Sequence, residues 1–151
     1  QASPTCSPTA WPSAAKGPDP RPGVDPAFPK LFTVDEANSL LPTLRELLAE
    51  VSHHRDAVRE RAPHLAPILR AAGANGGGRV GSEYGVEAYR LYLAIERIRD
   101  LGVVLKDLDV GLIDFPHERE GRVVFLCWHP PEERVGYWHE IEAGYAGRRP
   151  L

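Results

Sequence analysis

Between Val34 and Leu105 the apolar side chains recur every three or four positions, and beyond Lys106 they recur every second position. The first spacing lines one side of a helix and the second lines one side of a strand. The chain is therefore expected to be helical in its first half and a sheet in its second. In the first half, apolar residues fall at 34, 37, 41, 44, 48, 51, 58 and 62, with Arg55 as the one charge on that seam. Thr33-Val34-Asp35-Glu36 reads as a capping box that starts the helix. Pro42 predicts a bend near Ser39, because its ring removes an amide donor and crowds the preceding turn. A buried Arg55 would need a partner, and Glu87 or Glu96 on the next helix is the expected one.

The first helix is expected over residues 33–61, stopped by Pro63 and Pro67, with an irregular connector over 63–82 that contains Asn75-Gly76-Gly77-Gly78. A second helix is expected over 82–105, with a seam of Tyr84, Ala88, Leu91, Ile95, Ile98, Gly102 and Leu105. Two long helices with matching seams joined by a flexible loop fold back as an antiparallel hairpin. Strands are expected over 110–115 and 122–128, flanking a turn over 116–121, with a third short one within 134–140. The fold class is thus α+β: a long antiparallel helical hairpin packed on a small antiparallel β-sheet. In the second strand Val123, Phe125 and Cys127 point one way and Val124, Leu126 and Trp128 the other. Both faces being apolar, one is expected to cover the helices. The other needs the C-terminal segment or a second copy, which motivates an expected homo-oligomer.

The first 30 residues hold 8 of the 15 prolines with Ser, Ala, Gly and Thr between them and few large apolar side chains, and they read as a disordered Pro-rich tail before one folded domain over 31–151. The tail lacks the apolar stretch of a secretory signal, and no apolar run approaches 18 residues, so no membrane span is expected. From residue 31 onward 15 basic side chains face 19 acidic ones, a net charge of −4. That balance argues against a nucleic-acid surface. Cys6 and Cys127 are not expected to pair, and a lone buried thiol suits a reducing, cytoplasmic setting.

Several separated blocks also carry a resemblance. They are Lys30 to Asn38 with Leu40-Leu41-Pro42, Gly102-Val103, Leu105 to Asp109, Gly111 to Pro116, Gly121-Arg122, Leu126-Cys127-Trp128, Trp138-His139-Glu140 and Gly147-Arg148. In this order they resemble a bacterial family known only as domain of unknown function 2203, over residues 30–151. The resemblance implies no activity, cofactor or catalytic residue.

The polar side chains among the strand residues form the candidate site: Lys106, Asp107, Asp109, Asp114, His139 and Glu140. Carboxylates with one imidazole suit a divalent metal, with Asp107, Asp109 and His139 as the expected ligands if one binds. The competing explanation is that Asp-x-Asp caps a turn and His139 is a satisfied core residue. Cys127 with His129 or His139 is a possible thiolate–imidazole pair, although a mid-strand position favours an inert thiol. His53, His54 and His64 lack zinc spacing, and Arg134, Arg148 and Arg149 lack a phosphate loop. The favoured function is a small non-enzymatic interaction module that self-associates, with the question of a cofactor left open. The alternative is a metal-dependent, hydrolase-like enzyme using the Asp/His/Glu cluster.

Overall fold

A computed structural model describes residues 28–71 and 78–151; most of the Pro-rich tail and residues 72–77 of the connector lie outside it. The elements in chain order are α1 (Val34–Ala71), α2 (Arg79–Asp100), β1 (Val104–Asp107), β2 (Leu112–Arg119), β3 (Arg122–Trp128) and β4 (Tyr137–His139). A 3-10 turn (Tyr145–Gly147) and β5 (Arg149–Pro150) follow.

The capping box forms as the sequence requires. The Thr33 amide donates to Glu36 Oε2 at 2.8 Å and the Glu36 amide donates to Thr33 Oγ1 at 3.2 Å. Beyond Arg61 the sequence reading fails, because α1 runs through Pro63 and Pro67 to Ala71. Both prolines are exposed and stand four residues apart on one side, so each removes a solvent-side amide and no core contact. Glu50 pairs with Arg97 at 2.5 Å and His54 with Glu87 at 2.7 Å. Rising numbers on α1 meet falling numbers on α2, so the helices are antiparallel. Arg55 does not reach Glu87 or Glu96. Its Nη1 donates to the Leu108 carbonyl at 2.6 Å, anchoring α1 to the turn between β1 and β2.

The second helix ends at Asp100, five residues before the expected stop. Gly102 sits at φ +85° and its amide donates to the Arg99 carbonyl at 2.8 Å, a left-handed terminator that few other residues tolerate. Val104 and Leu105 thereby leave the helix and become β1.

The sheet is a five-stranded antiparallel meander, β1-β2-β3-β4-β5. Its central hairpin has Arg119 opposite Arg122, so the turn is just Glu120 and Gly121, both with positive φ as a type I′ turn demands. Strand β2 accordingly extends through Pro116, which the sequence reading placed in the turn. At that position β1 has already ended. The Pro116 carbonyl points to the vacated side and accepts the Phe32 amide at 2.7 Å, so the missing proline N–H breaks no ladder bond.

The core joins Leu41, Leu44, Leu48 and Val51 of α1 with Ala94 and Ile98 of α2. The sheet adds Ile113, Phe115, Val124, Leu126, Trp128 and Trp138. Val124, Leu126 and Trp128 are fully buried within their own chain, so this face has no deficit for a second copy to repair. Asp114, Phe125, Cys127 and His139 lie on the opposite face, where Phe28 packs edge-on against Phe125 at 5.3 Å. Among the described residues no helix is long and apolar enough to cross a membrane.

Candidate functional site

The two-residue turn sets the register that builds the site. It places Asp114 of β2 directly across from Cys127 of β3. Pairing of β3 with β4 then sets His139 opposite Phe125, one diagonal step from Cys127 on the same face. One carboxylate oxygen, one sulfur and one imidazole nitrogen from these three residues all lie within 4.8 Å of one another. The cluster is sealed: Asp114 and His139 are each 1% exposed and Cys127 is 0% exposed. Among the described residues it is the one convergence of three such side chains.

The hydrogen bonds define the protons. His139 Nδ1 lies 2.8 Å from the Glu140 carbonyl, which can only accept, so Nδ1 carries hydrogen. Its Nε2 faces Asp114 Oδ1 at 3.3 Å. Lys106 places its ammonium 3.9 Å from the other carboxylate oxygen and 5.0 Å over the Phe125 ring. Burial, and after it the negative charge of Asp114, push the Cys127 thiol up to about 12. In a metal-free protein Cys127 is therefore a protonated thiol and no nucleophile at neutral pH.

Of the six side chains expected at a site, Lys106, Asp114 and His139 come together, and Asp107, Asp109 and Glu140 do not. Asp107 and Asp109 belong to the β1–β2 turn. Asp107 Oδ1 accepts the amides of Val110 and Asp109, which hold its carboxyl below the usual range. Asp109 is bound by Arg59 at 2.7 Å. Glu140 pairs with Arg122 at 2.9 Å. The expected metal set of Asp107, Asp109 and His139 is thus not assembled, because turn amides hold Asp107 and arginines hold Asp109. Cys127, which the sequence reading sets beside His129 or His139 as a thiolate–imidazole pair, is not among the six. Reading Glu120-Gly121 as a complete turn would have paired it with Asp114.

Comparison with known proteins follows the same boundaries. A family model described as "Uncharacterized conserved protein (DUF2203)" matches residues 30–151. The chain belongs to this family. No curated protein and no solved structure matches it. In this DUF2203 chain the matched span begins just before the capping box and includes the whole sheet. Arg148 donates to Glu132 Oε1 at 2.6 Å and lies over the rings of Tyr137 and Tyr145, while its buried Nε has no partner among the described residues.

Proposed function

We propose that this chain is a non-enzymatic metal-binding domain holding one Zn²⁺-class divalent ion at Asp114, Cys127 and His139. The observation that carries this reading is the facing of His139 Nε2 and Asp114 Oδ1 at 3.3 Å beside the Cys127 sulfur. With hydrogen already on Nδ1, the two facing atoms present lone pairs to each other unless a proton or a cation lies between them. Two ligands about 2.0–2.1 Å from a tetrahedral ion stand about 3.3–3.4 Å apart, the spacing seen here. Nδ1–H donated to a backbone carbonyl is the usual support of a metal-bound imidazole. Sulfur and nitrogen donors favour Zn²⁺ over Mg²⁺ or Ca²⁺. A thiolate and a carboxylate neutralise the dication, which removes the penalty for burying any one of these charges alone.

The ligands come from three adjacent strands and are shielded from water, so the role is to tie β2, β3 and β4 together rather than to hydrolyse a substrate. A reducing compartment, the cytoplasm, keeps Cys127 available as a ligand. Loading with Co²⁺ tests the assignment. One equivalent is expected to bind with a thiolate-to-metal charge-transfer band. Cys127→Ser is expected to abolish the band, and His139→Gln to abolish binding. Absence of uptake by folded wild-type protein at millimolar Co²⁺ would leave the cluster as a hydrogen-bonded core.

A second reading, self-association, is favoured by a different surface. Val86, Tyr89 and Leu93 follow one another at helical spacing on the outer side of α2, flanked by Tyr92, and all four are exposed. An antiparallel copy centred on Tyr89–Arg90 sets Val86 against Leu93, so the apolar stripe can pack on its own copy. Light scattering is expected to give a dimer that Leu93→Lys converts to a monomer. A wild-type monomer at tens of micromolar would remove this reading.

A further inference from the structure

The outer face of the sheet continues past Asp114 and Cys127 into an open pocket of about 620 Å³, within the range of small-molecule sites. Val110, Leu112 and Pro130 give it an apolar lining, and His129 with Tyr145 makes an aromatic corner, their rings 5.8 Å apart and tilted by 53°. Val110 is 55% exposed and Tyr145 is 51% exposed, so a concave apolar surface is left in water.

The charges flanking the corner are already paired: Arg148, 4.8 Å over the Tyr145 ring, is bound to Glu132, which stands 3.6 Å from His129 Nε2. His129 Nδ1 donates to the Pro130 carbonyl at 2.7 Å, and Nε2 accepts the Tyr145 hydroxyl at 3.2 Å. The acids at the rim differ from each other. Asp109 is neutralised by Arg59 and by Arg55. The hydrogen-bond partners of Asp107 among the described residues are two backbone amides, both on Oδ1, so Oδ2 keeps its acceptor capacity, with Arg55 acting on the carboxylate through space and not as a paired ion.

We infer that this pocket binds a small organic ammonium with an aromatic or branched apolar body. The ammonium sits on Asp107 Oδ2 and the apolar body lies against the Tyr145–His129 corner, over Val110 and Leu112. Complementarity of charge selects the amine, since a carboxylate in the same place would meet Asp107 with the wrong sign. Ring stacking and apolar burial supply the rest.

The test uses phenethylamine and its charge-reversed counterpart 3-phenylpropionate, titrated into ¹⁵N-labelled full-length chain. Phenethylamine is expected to shift the amides of residues 107–112 and Tyr145 in a saturable way, and phenylpropionate to leave them in place. Asp107→Asn keeps an oxygen for the turn amides and removes the charge, so amine affinity is expected to fall about tenfold. Tyr145→Ala, at an exposed position, is expected to weaken the amine without altering the turn. Equal binding of both probes, unchanged affinity in both variants, or shifts confined to other surfaces would each overturn the assignment.

Discussion

Trp128→Ala is expected to lower the unfolding free energy by about 3–5 kcal/mol, read as a shift of the urea midpoint at constant slope. The indole is the largest fully buried side chain and lies where β3 meets α1. Its Nε1 donates to the Glu132 carbonyl at 2.8 Å, and the Arg45 guanidinium lies 5.5 Å above its ring. Arg45 in turn donates to the carbonyls of Glu132 and Glu133, so one ring supports the loop after β3 and its contact with α1. Alanine leaves a cavity under that loop and removes one of the two donors to the Glu132 carbonyl. Trp128→Phe keeps most of the volume and loses the hydrogen bond, for which about 1 kcal/mol is expected on top of the lost area. A loss below 1 kcal/mol for the alanine variant would mean that the loop repacks freely.

Asp114→Ala in chelator-treated protein is expected to lower the unfolding free energy by about 3–5 kcal/mol, and the double variant Asp114→Leu/His139→Leu by less. The single change strands His139 Nε2, the Cys127 thiol and the Lys106 ammonium around a carboxylate that is gone. The double change removes the polar pair and refills its place with apolar volume. Chemical denaturation of the two variants side by side makes the comparison. A double variant less stable than Asp114→Ala would show that the pair is valued for its shape and not for mutual satisfaction. The comparison holds whether or not a metal binds, since it is made on stripped protein.

Much of this fold is legible in the chain because its signals are local. Thr33 and Glu36 sit at capping-box spacing, and α1 and α2 show their seams over many turns. The alternation from Arg122 to Trp128 marks a strand with two apolar faces. What escapes the sequence depends on partners elsewhere. Pro116 reads as a break until β1 is seen to stop short of it, and Pro63 and Pro67 read as stops although they face water. Gly102 fits the helical period of α2 while its left-handed backbone ends the helix. The candidate site was half legible for the same reason. Asp114 and His139 stand out as polar residues among apolar ones, but their meeting with Cys127 rests on a register that one turn length decides. Asp107 and Asp109 carry the same charge in the same neighbourhood, and backbone amides and arginines claim them first.

The strand order of the sheet has a kinetic consequence. Each strand pairs with its immediate neighbour in the chain, and the two helices pair with each other, so most of the structure closes over short loops. Arg55 and Arg59 reach the β1–β2 turn across 53 and 50 residues, and contacts of still longer range involve the start of the domain. The Val135 amide donates to Asn38 Oδ1 across 97 residues, and Arg45 reaches Glu132 and Glu133 across 87 and 88. Phe32 joins them through the Pro116 carbonyl. Hairpin and meander can therefore nucleate separately and early, each with little loop entropy to overcome. The slow step is then the arrival of the first turns of α1 on the finished sheet, which closes the outermost loop of the chain and locks both halves at once.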